Sequence, residues 1–465
     1  MELMGTDCPA FARHPDMTYA STLARLPAAA QASHAANADA PNAPNAPTAP
    51  EDPLRASIRT DRPAPAPAPQ RNADVIRDDA HALEVANAFA TDIAGDARKR
   101  DQERRLAWRE VEQFSQSGLW GITVPKAYGG AGVSTGTLTK AVSVIAAADG
   151  SFGHIPQNHY YSLEVLRVGG THEQKTFFYD RVLRGERLGN ALAEVGQRDF
   201  KRRTQLLREP GGWFVNGAKF YCTGAVYAHW IPTLAVAQED TGERGYLVFI
   251  PRAAPGVTIT DDWDGFGQRV TGSGSVQFER VRIEPEWVVP FTASFERATT
   301  IGPFAQIIHA ALDAGIGHGA LQAALPFIRE HARPWIDAGG QRAADDPLLL
   351  EQIGNVHLRL RAADALIARA AHAVDTAQRA PDDDSVAAAS IAVAQAKALS
   401  TSASLLASTK LLELSGTSAT SASLGLDRFW RNARTHTLHD PVRWKYHAVG
   451  NYVLNGVRPP RHGAI

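Results

Sequence analysis

The sequence predicts an α+β chain with an N-terminal helical domain, a middle antiparallel β-barrel or sandwich, and a C-terminal four-helix bundle. Three observations predict it. Apolar residues recur at helical spacing from about Ala73 to Ala148, strand-like runs replace them after Glu194, and long helical stripes return from Ile301 onward. At 465 residues, 44% hydrophobic and 21% charged, the chain is long enough for several domains around a large core.

Residues 1–72 read as a disordered extension, because the stretch from Ala28 to Arg71 is rich in Ala, Pro and Asn and has few large apolar residues to offset ordering entropy. Residues 73–190 read as the helical domain. Leu83, Val85, Phe89 and Ile93 mark its first stripe, and a strongly charged helical stretch continues through Arg109. Phe114, Leu119 and Trp120 lead into GITVPKAYGG, whose Pro125 and Gly129-Gly130 stop the helix, and a further helix from Leu138 to Ala148 closes at Asp149-Gly150.

Residues 191–298 read as the β domain. WFVNGAKFY sets Asn216-Gly217 between two β-prone runs, which predicts a hairpin turning at that pair. LAVAQ, YLVFI, VTIT and SVQFERVRI supply further strands. Residues 299–465 read as the bundle, with one stripe through Phe304, Ile307, Ile308, Ala311 and Leu312 and another through Ile353, Val356, Leu360, Ala363 and Ile367. A third helix starts behind the acidic cap Asp382 to Ser385 and ends at Gly416, and a last one covers Leu426 to Arg434.

Composition narrows the function. Lys and Arg total 48 against 49 Asp and Glu, so no global field favours nucleic acid or an anionic membrane. Cys8 and Cys222 are the only cysteines, which excludes a disulfide framework and points to a reducing, cytoplasmic setting. Cys222 has no recognisable base beside it and is not read as a nucleophile. The opening residues lack a signal-peptide pattern, and no apolar run reaches the roughly 18 residues of a membrane span. No GxGxxG opens a helix after a strand and no GxxxxGK[ST] occurs, so a nucleotide-like cofactor must be held in another way.

GLWGITVPKAYGGAG, GGTHEQKTFFYDRVLRGERLGNALAE and GWFVNGAKFYCTGA, in this order and in an α, β, α arrangement, resemble the acyl-CoA dehydrogenase superfamily from about Ala73 to Ile465. ADGSFGHIPQNHYY, HARPWIDAG, DDWDGFGQRVTGSGS and DRFWRNARTHTLHDPVRWKYHAVGNYVLNG resemble its flavin monooxygenase branch, which includes dibenzothiophene monooxygenase. With the terminal PPRHGAI they are also similar to the sulfur-acquisition oxidoreductases induced by sulfate starvation. The resemblance implies reduced FMN supplied by a separate NAD(P)H-dependent flavin reductase, O2 and a small organosulfur substrate, in a homotetramer or homodimer. An FAD-dependent acyl-CoA dehydrogenase, or a redox-inactive binding or sensor protein, are the alternatives.

RTHTLHD places His436 and His439 three residues apart with Asp440 beside them, and two imidazoles with a carboxylate can move protons near neutral pH. The same H-x-x-H-D run has zinc-ligating types. Metal pairs on a helix more often sit at i and i+4, and no further cluster is evident, so no metal site is expected. The resemblance implies that the two histidines lie over the flavin and steady its oxygen adduct, and that Asp440 stands where the dehydrogenases carry a catalytic Glu. Asp440 is one methylene shorter and precedes Pro441, which weighs against acyl-CoA oxidation.

For His159 the resemblance implies a pocket residue, while the sequence alone leaves a satisfied structural histidine equally open. Thr223 and the backbone from Ala191 to Glu194 resemble flavin-ring contacts. Ala193 stands where the family usually carries Thr or Ser, and Tyr221 where dehydrogenases often carry Trp, so Tyr221 either covers the ring or is barrel core. Arg329 and Arg333 are candidate phosphate clamps at a helix end, because a guanidinium fork matches phosphate oxygens, with plain surface solvation as the alternative. ARPWIDAG replaces the dehydrogenase RxxFG motif, which favours FMN over FAD.

Overall fold

The computed structural model describes residues 73–195 and 201–465, so the extension expected over residues 1–72 lies outside the described residues. Helix α1, Asp79–Glu103, starts where the Asp78 side chain accepts the His81 amide, and it stops at Arg104, which takes a left-handed φ of 49°. The charged stretch that reads as continuous through Arg109 is therefore broken before α2, Trp108–Gln116. Helices α3, Thr135–Ala148, α4, Ile155–Gly169, and α5, His172–Leu183, complete the first part.

Arg100 welds this part together. Its buried guanidinium meets Glu110 at 2.9 Å, Asp149 at 2.9 Å and the Ile93 carbonyl at 2.6 Å, joining α1, α2 and the end of α3. The other Asp149 oxygen accepts the amides of Ser151 and Phe152, which shapes the turn leading to His154.

The middle part is one seven-stranded sheet in the order β5, β6, β2, β1, β3, β4, β7. The strands are β1 Gln205–Glu209, β2 Gly212–Lys219, β3 Trp230–Glu239, β4 Gly242–Pro251, β5 Val257–Thr260, β6 Ser275–Ile283 and β7 Val288–Pro290. Pairing is antiparallel except between β1 and β3, where Gln205 opposes Val236 in parallel. The first hairpin turns at Pro210-Gly211, with Glu209 opposite Gly212, and Asn216-Gly217 lies inside β2 instead of at a turn. There the register against β6 shifts between Val215 and Gly217. Gly217 has a φ of 148°, and a Cβ on it would sit 2.7 Å from Thr204 Cα, so this glycine serves a bulge and a close strand approach. One face of the sheet buries Val215, Ile231, Val248, Phe278 and Val281, while Leu234, Leu247 and Phe249 join the helical core beside Phe178.

After the single turn α6, Thr292–Phe295, come the long helices α7, Ile301–Glu330, α8, Pro347–Arg379, and α9, Asp383–Ser415. The acidic start of α9 is a capping box in which Asp382 and Ser385 bond each other's backbone amides. Helix α10, Asp427–His436, and a helix the sequence reading did not separate, α11, Arg443–Asn455, finish the chain. Every residue of α7 from Ile301 to Gly317 is buried. Two glycines let α7 approach α3 closely, since a Cβ on Gly315 would lie 2.3 Å from the Ser143 carbonyl oxygen and one on Gly319 would lie 2.3 Å from that of Ala147. The backbones of α3 and α7 thus touch directly.

Gln268 ties the three parts at one point. Its amide donates to Asn432 Oδ1 at 2.7 Å, and its Nε2 donates to the carbonyls of Gly150 at 3.1 Å and Asn432 at 3.3 Å. Among the described residues, no helix is long and apolar enough to cross a membrane.

Candidate active site

The end of α10 meets the middle of α7 in a cluster of histidines built on a buried carboxylate. Asp313 projects from α7 with no exposed surface, and its Oδ2 accepts from Lys397 Nζ at 2.6 Å and Thr401 Oγ1 at 2.8 Å, both on α9. Its Oδ1 lies 2.5 Å from His436 Nδ1, and His436 Nε2 lies 2.9 Å from His309 Nδ1, one helical turn before Asp313 on α7. Burial raises the Asp313 carboxyl, but Lys397 and His436 outweigh it and hold the group well below the usual carboxylate range.

That charge fixes the tautomers. An ionised Asp313 only accepts, so His436 Nδ1 carries the proton it shares. Burial lowers the affinity of His436 and His309 for a second proton, against the pull of Asp313 on His436. Neutral His436 therefore accepts at Nε2 from His309 Nδ1–H, which leaves a lone pair on His309 Nε2.

Two more imidazoles face this pair. The His439 ring centroid is 4.2 Å from that of His309, and His154, from the turn before α4, is 4.9 Å from His436 and 6.0 Å from His439. Both ring nitrogens of His154 are buried without a hydrogen bond of good geometry, with the Gln268 side chain alongside. Burial and the neighbouring imidazoles push its pKa well down.

His439 lies beyond the end of α10, partly exposed, with Nδ1 3.2 Å from Asp440 Oδ2. The same Asp440 oxygen accepts from Gln306 Nε2 at 2.8 Å. Burial raises the Asp440 carboxyl, yet His439, Lys445 and Gln306 together hold it well below the carboxylate range.

A second group of predicted residues gathers at the sheet. Ala191 donates to the Pro232 carbonyl at 3.0 Å and accepts from the Leu234 amide at 3.1 Å, so its backbone is consumed in pairing. Ala193 bridges Phe220, whose amide bonds the Ala193 carbonyl at 3.0 Å. Glu194 is held by Lys219 at 2.6 Å and by the amides of Arg203 and Thr204, so it anchors the adjoining loop. Thr223 is buried with its hydroxyl 2.7 Å from Ser273 Oγ, and Tyr221 is 56% exposed at a φ of 55°, its ring edge-on to Trp263. The exposure answers the open question on Tyr221, which is not barrel core.

His159 stands apart from the histidine cluster. It is fully buried, with Nε2 2.9 Å from the Trp120 carbonyl and Nδ1 accepting the Leu188 amide at 3.0 Å, so both nitrogens are used in pinning α4 to its neighbours. Burial pushes its pKa from 6.5 to about 3, against the Trp120 carbonyl. Between those values the folded protein binds fewer protons here than the unfolded chain, so stability declines as the pH falls through that window. Denaturant unfolding of His159→Gln is expected to show a shallower pH dependence than the parent protein, by about 1.4 kcal/mol per pH unit across the middle of that window.

Arg329 and Arg333 also lie away from the cluster, exposed at and just after the end of α7 and without an ion pair among the described residues. Sequence reasoning missed His154, His309, Asp313, Lys397 and Asn190. The available signal was His309 and Asp313 four apart inside an otherwise apolar helix, a spacing that puts two polar groups on one buried face.

A bound flavin requires polar groups for its heteroatoms and a surface for its ring. Asn190 Oδ1, Gln157 Oε1, Gln306 Oε1, Thr435 Oγ1 and both His154 nitrogens are buried side-chain atoms with no hydrogen-bond partner, on the same segments that carry the predicted contacts. Such atoms are costly unless a ligand or water meets them, and exposed Tyr221 with Trp263 supplies an aromatic wall. The residues fit the group.

Fold and site together define an acyl-CoA dehydrogenase scaffold with a histidine-rich cluster between α7 and α10. The acyl-CoA dehydrogenase N-terminal domain matches residues 78–186, the middle domain residues 195–281 and the C-terminal domain residues 307–444. The chain belongs to the acyl-CoA dehydrogenase family.

Within it, a dibenzothiophene monooxygenase of Rhodococcus erythropolis is 37% identical over 81% of this chain and 93% of its own length. The probable FMNH2-dependent monooxygenase SfnC of Pseudomonas putida is 31% identical over 81% of this chain and 96% of its own. FMN-bound TdsC from Paenibacillus superposes with a TM-score of 0.79 at 32% identity, covering 83% of this chain and all (100%) of TdsC.

Proposed function

We propose that this protein is a monooxygenase that uses reduced FMN to place one oxygen atom of O2 on the sulfur of a small organosulfur compound, in sulfur acquisition under sulfate limitation. The observation that carries the reading is the buried chain from Asp313 through His436 to His309, joined by His154 and His439. The similarity to FMN-dependent monooxygenases supports the cofactor and the reaction class.

When bound, reduced FMN supplies the two electrons. One oxygen atom of O2 bonds to sulfur, and the other leaves as water with those electrons and two protons. The residues of this chain control the protons. Asp313, fixed by Lys397 and Thr401, keeps His436 and His309 in one tautomeric order, so His309 Nε2 offers a steady acceptor. His154 and His439 offer further nitrogens on the same side. Burial of His154, His309 and His436 excludes bulk water, which otherwise diverts oxygen to peroxide. Asp440, tied to Gln306 and His439, orients His439 and is not a free base for an acyl thioester.

Thr223, Tyr221 and the Ala191 to Glu194 segment are proposed as the flavin-side wall, with Arg329 and Arg333 as the phosphate contacts and His159 as a support for the fold beneath. A separate NAD(P)H-dependent reductase, a cytoplasmic setting and a homotetramer or homodimer complete the proposal.

The test supplies the purified chain with FMN, NADH, a flavin reductase and ¹⁸O2, and offers a panel of sulfides, sulfoxides, sulfones and sulfinates. The expected result is one ¹⁸O atom in an oxidised sulfur product. Hydrogen peroxide alone with every compound, or bleaching of the flavin by an acyl-CoA, sinks the reading.

A further inference from the structure

We infer that His154, His309 and His439 form a three-imidazole site for a divalent transition metal of the zinc or copper type in the flavin-free protein. One nitrogen of each residue lies within 4.8 Å of the other two, and the three come from the turn before α4, from α7 and from the segment after α10. The H-x-x-H-D spacing pointed to His436 with His439. Geometry excludes His436, because both its nitrogens are taken, one by Asp313 and one by His309.

Each of the three is prepared as a ligand in a different way. His309 donates a hydrogen bond from Nδ1–H to His436, which leaves Nε2 with a lone pair and places a carboxylate behind it through one further imidazole. His439 is oriented by Asp440 at Nδ1, which frees Nε2. Such outer hydrogen bonds to a carboxylate are what fix the tautomer and raise the basicity of metal-binding histidines. His154 is 7% exposed, and its two nitrogens have no partner among the described residues, an uncompensated burial that a metal bond would relieve.

Tetrahedral zinc with nitrogen bonds of about 2.0–2.1 Å needs its donors roughly 3.4 Å apart, so a set lying within 4.8 Å must close by up to about 1.4 Å. His439 is the member free to move. Its side chain is 40% exposed, whereas His154 and His309 are packed. Three neutral imidazoles leave a fourth position open and suit zinc, copper, nickel or cobalt better than calcium or magnesium. The inference concerns only flavin-free protein, so it stands or falls apart from the oxygenation reading.

The test uses the tag-free, flavin-free full chain, titrated with cobalt(II) and then zinc(II). One equivalent is expected, with the intense visible absorption of four-coordinate cobalt, bleached when zinc displaces it. His439→Gln and His154→Asn are each expected to weaken binding at least about tenfold, and Asp440→Asn by about 10–100-fold. His447→Gln, on the exposed face of α11, serves as the unchanged control. Because His439 is partly exposed, its variant keeps the fold, which circular dichroism checks. Equal affinity in His439→Gln and the parent, or weak six-coordinate cobalt spectra throughout, would overturn the proposal.

Discussion

Asp313→Asn is expected to destabilise the protein by about 3–5 kcal/mol and to cut oxygen transfer by about 10²–10⁴-fold. The two losses have separate causes. The carboxylate is the anion facing the Lys397 ammonium, which is 1% exposed, so removing it strands a buried charge. The amide also presents a donor where His436 now donates, which reverses the tautomer order out to His309.

The double variant Asp313→Asn/Lys397→Met separates them. It is expected to regain most of the stability, because the stranded cation is gone, and none of the oxygen transfer. Urea unfolding reads the first quantity and the ratio of oxidised sulfur product to peroxide reads the second. Recovery of both together would show that Asp313 acts only as a packing group.

The second large effect is expected at Arg100. Arg100→Met leaves Glu110 and Asp149 buried without their cation, 1% and 6% exposed, and is expected to cost about 3–5 kcal/mol. Asp149 also holds the Ser151 and Phe152 amides, so the loss reaches the turn that carries His154. The product-to-peroxide ratio should therefore fall in whatever folded fraction remains, measured at low temperature where the variant is still native. A stability loss with an unchanged ratio would confine Arg100 to the scaffold.

The order of helical, strand and helical parts was legible because period changes along a chain are local. Apolar stripes such as Ile353 to Ile367, and the capping box at Asp382 and Ser385, announce their helices without tertiary help. Asn216-Gly217 misled for a tertiary reason. Its glycine answers to Thr204 across the sheet, which the local sequence does not display.

The site divided in the same way. His436, His439 and Asp440 sit within one short run and were visible as a run. His154 and His309 reach them only through the packing of α7 against α10 and the turn before α4, across more than a hundred residues. His159 has the same residue type as its neighbour His154. What separates them is that His159 has a carbonyl and an amide to satisfy it and His154 has neither.

The hydrogen bonds of Gln268 have a mechanical meaning. One side chain and its own amide grip Asn432 in the bundle and Gly150 in the helical part from a loop of the sheet, and Ser151 also bonds Asn432, so moving any of the three against the others breaks at least two bonds. These bonds oppose hinge motion at that seam. Of the clustered histidines, only His439, in the segment beyond α10, reaches the surface.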